Sequence, residues 1–288
     1  MRRIEAAVAV PGTRAAGGVP PRWRVAGRAV VALLRRDLAE RRGLRVPFLL
    51  DLVFGVLNLL VFLFVSRVLV PHPGAGITGS GGYFDFVAVG IVFLLVLQSA
   101  TVQVVTRVTA EQRDGMLELC AAQPVPGWSL ALGLVAYPFA FALLRAGLYL
   151  GLLAGVLGLR VDDASWPGVA VMLVLAALCT LPFGITLMGL TVAVGYGDPA
   201  ARLLVVALSF LSGTYFPVSA LPGVLQPVCA VLPTRAALDG LRAALAGGDW
   251  GRAAVVLAGA AAVLLPLSAG VFDRALWLAR RRGILTRD

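Results

Sequence analysis

The 288-residue chain is 59% apolar and only 14% charged, with mean hydropathy +0.91, whereas a water-soluble domain is roughly 45–50% apolar and about 25% charged. That much apolar surface requires lipid as solvent, and the length suits one membrane domain of about six spans. All 25 basic residues are arginine, which excludes a lysine-bearing phosphate loop, a Schiff-base lysine and a lysine general base; Cys120, Cys179, Cys229 and the single His72 have no spacing for a disulfide framework, a zinc site or a Ser-His-Asp triad.

The net charge of +10 is concentrated at the two ends. Residues 1–46 carry eleven Arg against Glu5, Asp37 and Glu40, and residues 274–288 carry five Arg against Asp288. Basic flanks stay on the cytoplasmic side, so both termini are expected inside the cell membrane, with an even number of spans. The arginines flank hydrophobic segments without an accompanying aromatic reading surface, so nucleic acid is not expected as a partner.

In chain order, residues 1–22 hold Pro11, Gly12, Gly17, Gly18, Pro20 and Pro21 and read as a flexible arm. The apolar run Ala6–Val10 is too short for a signal-peptide core, so no cleavage is expected. Residues 23–46 read as an amphipathic helix at the inner membrane interface. Val30, Leu33, Leu34 and Leu38 share one face, and Arg24, Arg28, Arg35 and Arg42 share another. Residues 47–280 then form the membrane domain, and 281–288 a basic cytoplasmic tail.

The first span is expected over Pro47–Val70, followed by an outer loop to Gly82. The second is Tyr83–Val108, followed by a polar inner segment, 109–126. The third is Gly127–Leu159, long enough to tilt or to kink at Pro138. Arg160, Asp162 and Asp163 mark an outer turn, with Trp166 at the interface. The fourth is Pro167–Val194, interrupted by Pro182 and Gly184. After a tight inner turn the fifth is Ala200–Phe216, and the sixth is Arg252–Leu278, with Trp277 near its inner end.

The stretch 213–249 breaks this pattern. Pro217, Pro222, Pro227 and Pro233 recur every five or six residues. The stretch is apolar enough for lipid and too broken to cross it, since proline removes backbone donors and ends helices. It reads as a re-entrant helical hairpin before the last span, with Gly213, Pro217, Pro222 and Pro233 as gate residues. Thr234 is expected to cap a further short helix carrying Leu238, Leu241 and Leu245 on one face. Arg235, Asp239 and Arg242 are expected on the other, pairing locally.

Three features together resemble a known family. They are the basic helix before the first span, the inner segment Glu111-Gln-Arg-Asp-Gly-Met-Leu-Glu118-Leu ending at Pro124-Val-Pro126, and the run Ser212-Gly-Thr-Tyr-Phe-Pro217 through Leu232-Pro233-Thr to Leu238-Asp-Gly-Leu-Arg242. The chain is similar, over roughly residues 24–280, to the membrane permease of type-2 ABC transporters, more of the drug- or lipid-type than of the polysaccharide-type exporters. The resemblance implies an all-α fold of six transmembrane helices and a second permease copy or related permease. It further implies cytoplasmic ABC ATPase subunits that carry ATP and Mg, with no cofactor on this chain, which is itself no enzyme. It makes Glu111, Arg113, Asp114, Gly115 and Glu118 the ATPase-coupling residues; Gly115 would let another backbone approach closely.

Within the spans, Arg145 is the main polar candidate, expected to pair with carbonyls or a carboxylate such as Asp85. Asp51, Asn58, Gln98 and Gln103 read as packing contacts between helices. Phe62, Phe64, Phe84, Phe86 and Phe93 suit either a hydrophobic pathway or a lipid face. A secondary transporter or channel is the competing reading, but it would call for paired broken helices or buried acids.

Overall fold

The computed structural model describes residues 31, 45–68, 82–115, 127–159, 161–194 and 197–282. These residues form helices joined by turns, with no strand among them. The expected N-terminal arm, the interface helix apart from residues 31, 45 and 46, most of the first outer loop, Glu118, the Pro124–Pro126 turn and residues 283–288 of the basic tail lie outside the described residues.

The helices follow the long apolar runs and stop at the breakers between them. They are α1 (Arg45–Val68), α2 (Tyr83–Gln98), a π-helical segment (Ser99–Gln103), α3 (Val104–Arg113), α4 (Gly127–Gly155), α5 (Trp166–Val194), α6 (Gly197–Leu211), a 3-10 turn (Val218–Ala220), α7 (Gln226–Val231), α8 (Pro233–Leu245) and α9 (Gly251–Arg282). α2, the π segment and α3 form one continuous helix, Tyr83–Arg113. With α4, α5 and residues Gly251–Arg281 of α9, it makes four helices of 29–31 residues that are long and apolar enough to cross a membrane. At about 1.5 Å per residue each exceeds a hydrocarbon core of about 30 Å. α1 is a 24-residue helix with an apolar stretch at Val53–Val65.

Two expectations are corrected. The fifth segment is not a helix over Ala200–Phe216: α6 has 15 residues and ends at Leu211, about 22 Å long, because the chain turns at Ser212 and Gly213. The fourth is not interrupted: α5 runs unbroken through Pro182 and Gly184. The Thr186 hydroxyl donates to the Pro182 carbonyl at 2.8 Å, the kind of side-chain bond that lets a membrane helix accommodate proline. α4 likewise continues through Pro138.

α5 is the central helix. α9 lies along it, α8 packs between α5, α9 and α2, and the π segment and α3 lean on its second half. Buried residues cover much of the α5 circumference, from Val169 and Met172 through Ile185 and Met188 to Val192, as expected for a helix hydrophobic all round. A Cβ at Gly184 would run into the backbone carbonyl of Ala100 in the π segment. A glycine there lets the two backbones touch, a contact known from helix pairs in membranes. α1 packs mainly against α2, and α4 reaches it where the Tyr149 ring fills the space beside Gly55.

The bundle has two ends. Tyr83, Gly155, Trp166 and Gly251 mark one, where the Ser165 amide donates to the Ala244 carbonyl of α8 at 2.9 Å. Arg113, Gly127, Val194 and Gly197 mark the other, where Thr106 of α3 donates to Asp198 at the start of α6, at 3.4 Å.

Candidate coupling and gating sites

The charged segment begins as the last turns of the long apolar helix Tyr83–Arg113. Thr109 bonds back to the Val105 carbonyl at 3.0 Å, and helix continues to Arg113, five residues beyond the expected end of the span at Val108. Gly115 then stops it. Its φ of +68 is the left-handed geometry glycine supplies after a helix, with the Asp114 amide on Ala110 and the Gly115 amide on Gln112. No atom lies within 4 Å of a Cβ built at Gly115. Within the described residues its part is the turn, and the space beside its α-carbon is open.

The charges do not form one exposed patch. Arg113 and Asp114 are exposed, while Glu111 is turned inward at 8% exposure. Arg107, one turn earlier, holds the Glu111 carboxylate through Nε at 3.3 Å and Nη2 at 3.4 Å. Its Nη1 donates to the Leu134 carbonyl of α4 at 3.1 Å. Arg107, which residue patterning passed over, thus ties α3 to α4 beside the exposed pair. Glu111 is part of this contact, whereas Arg113 and Asp114 are the exposed members of the charged set among the described residues. Glu118 lies outside the described residues.

At the opposite end, the residues after α6 form a compact knot. Gly213 has φ +76, which a side chain would strain. The turn places the Thr214 carbonyl against Gly90, leaving no room for a Cβ there. Gly90 lies seven residues into α2, so this turn sits about 10 Å along the helix from its first residue. Ser212 donates to the Thr234 hydroxyl at 2.6 Å. Thr234 is therefore engaged with this turn instead of capping α8, whose N-cap is Leu232 with Pro233 at N1. Tyr215 stacks on Phe62 of α1 at 5.9 Å, and Phe210 contacts both Tyr215 and Phe216. Pro217 precedes the 3-10 turn, and Pro222 follows it by two residues. In α7, Cys229 is buried, but Val224 and Val231 on either side are 83% and 85% exposed.

α8 buries Leu238, Leu241 and Leu245 as expected. Its charged residues divide. Arg235 and Asp239 pair at 3.4 Å on the exposed side, while Arg242 turns inward. Arg242 Nη2 donates to the carbonyls of Phe86 at 3.1 Å and Gly213 at 3.0 Å. Its guanidinium lies 3.5 Å from the Phe86 ring centre, with Asp239 at 3.8 Å from Nη1.

Of the other polar candidates, Arg145 is buried at 6% exposure, with its guanidinium carbon 5.8 Å from the Tyr149 ring centre. Asn58 and Gln98 are exposed on α1 and α2, so within this chain they are not the buried interhelical contacts expected of them. Phe84 and Phe93 are core residues, Phe62 and Phe86 pack into the knot, and Phe64 faces outward.

Four long apolar helices among the described residues, with one broken apolar stretch, fit a multi-pass helical membrane protein. The family model for the ABC-2 type transporter matches residues 28–246, and the chain belongs to that family. It is accordingly the membrane permease component of an ABC transporter, a transport component and not a catalytic enzyme. The match ends at α8, yet α9 packs along the central helix and completes the bundle. Comparison with curated proteins returned no match.

Proposed function

We propose that the chain is the permease of an ATP-driven exporter that moves a hydrophobic or amphipathic substrate, drug-like or lipid, out of the cytoplasm or the inner leaflet of the cell membrane. Two copies, or two related permeases, enclose the route, and separate cytoplasmic ABC ATPase subunits bind ATP and Mg. Both termini are cytoplasmic. α1 and α6 complete a six-span count, α6 continuing across the membrane through the knot that follows it.

One observation carries the reading. The single helix Tyr83–Arg113 touches the knot through Phe86 and Gly90 and ends in the Arg107–Glu111 pair beside Arg113 and Asp114. A push delivered at its charged end reaches the other side of the membrane through one element. The exposed Val224, Val228 and Val231 suit lipid or a second copy, which supports a re-entrant gate over residues 213–249. Exposed Asn58 and Gln98 among apolar neighbours on α1 and α2 favour surfaces facing the second copy or the substrate.

The coupling role is tested by charge reversal. Asp114→Arg combined with Glu118→Arg is expected to lower recovery of the ATPase subunit in co-purification at least tenfold, with membrane insertion unchanged. Full recovery of an active complex would remove both residues from the docking surface.

A further inference from the structure

We propose that Arg242 is a positioning residue of the transport cycle: it pins the 213–245 segment to the first turns of α2, so that the gate and the Tyr83–Arg113 helix move as one body. The proposal rests on the gate reading above and adds the residue that joins the gate to the lever.

Three elements converge on this side chain. The Phe86 carbonyl belongs to α2, the Gly213 carbonyl to the turn after α6, and Arg242 itself to α8. One nitrogen bridges the two carbonyls while the Phe86 ring covers the guanidinium face. Charge-assisted bonds of this kind are about twice as strong as neutral ones, and a cation over an aromatic face within about 6 Å adds attraction that grows with desolvation. Gly213 is part of the device, because its positive φ forms the turn from which that carbonyl is presented. The Nε is buried without a hydrogen-bond partner among the described residues. The site thus uses the charge, one terminal nitrogen and the flat face of arginine, and it leaves the buried Nε without a bond among the described residues.

The pin also governs α7, which packs mainly on α8 and the 3-10 turn and is separated from α8 by Leu232 alone. Releasing α8 from α2 loosens α7 with it. The native Cys229, buried in α7, is therefore a reporter already in place. Cys179, buried against α9 with its thiol on the Leu257 carbonyl at 3.1 Å, reports on the core.

The test uses the full chain in phosphatidylethanolamine–phosphatidylglycerol nanodiscs, without ATP or ATPase. Reaction with a charged, membrane-impermeant methanethiosulfonate is timed at Cys229 (Cys120→Ala, Cys179→Ala background) and at Cys179 (Cys120→Ala, Cys229→Ala background). Arg242→Gln is expected to speed reaction at Cys229 at least tenfold and to leave Cys179 within twofold. Arg242→Lys, which keeps a charged donor, is expected to hold Cys229 within threefold of the parent. If Arg242→Gln does not accumulate, Phe86→Leu serves. It removes the ring face and keeps both carbonyls, and about a threefold rise at Cys229 is expected. An unchanged Cys229 rate, or equal acceleration at both cysteines, would overturn the pin, the second result making Arg242 a general stabiliser. Because no nucleotide is present, these outcomes are independent of whether the gate answers to ATP.

Discussion

Gly184→Leu is expected to remove most of the folded permease, whereas Gly151→Leu leaves its yield and melting temperature nearly unchanged. Both glycines lie inside long apolar helices, so propensity does not separate them. Their surroundings do. A side chain at Gly184 meets the Ala100 carbonyl, part of a helical backbone that cannot swing aside, while nothing lies within 4 Å of a Cβ at Gly151. Overpacking a well-filled core costs about 1–3 kcal/mol even where side chains can yield, and the upper end or more is expected here. The contact sits on the π segment, so the variant also displaces the link between α2 and α3. Size-exclusion profiles and thermal unfolding in detergent compare the two directly. Similar behaviour of both variants would mean that α5 and the π segment are not in backbone contact.

The Arg107–Glu111 pair is the second place where a single change has a large expected effect. Both side chains are about nine-tenths buried, and removing one partner of a buried ion pair typically costs on the order of 3 kcal/mol. Arg107→Leu is therefore expected to destabilise the chain by up to about that amount, because it removes the cation held against the Glu111 carboxylate and takes the donor from the Leu134 carbonyl. Replacing both partners, Arg107→Leu with Glu111→Leu, should recover most of the loss, since a buried pair is often matched by apolar residues of similar size. Denaturant unfolding of the two single variants and the double variant forms the cycle that measures the coupling. Additive losses would place Glu111 outside the influence of Arg107.

What was legible in the sequence follows from how locally each feature is determined. α4, α5 and α9 begin within one residue of where Gly127, Pro167 and Arg252 place them, because a long apolar run between glycine, proline and charged residues has one way to satisfy its backbone in lipid. The broken character of 213–249 was legible for the same reason. The π segment was not: its traces in the sequence are Ser99, Thr101 and Gln103 among apolar neighbours, and its position depends on the Ala100–Gly184 contact with another helix. The inward turn of Glu111 depends on Arg107 and on α4, and Thr234 leaves its capping position for Ser212, twenty-two residues earlier. Arg242 looked like one member of a local charge cluster, and only the arrival of α2 and the Gly213 turn makes it a bridge. These features arise from which helices meet, and hydrophobic period does not encode that.

A signal from a partner ATPase at the Arg113 end of one helix is expected to move the segment packed on its other end. Disulfide crosslinking between copies tests this most directly, with a single cysteine at Val224 in a background lacking Cys120, Cys179 and Cys229. The measurement is made on the permease assembled with its ATPase in lipid, with and without ATP and vanadate. At least a threefold change in crosslinked dimer is expected on trapping the nucleotide state, with loss of that change when Asp114→Arg and Glu118→Arg are introduced. Crosslinking that is equally efficient in every nucleotide state, while the same assembly hydrolyses ATP, would contradict it.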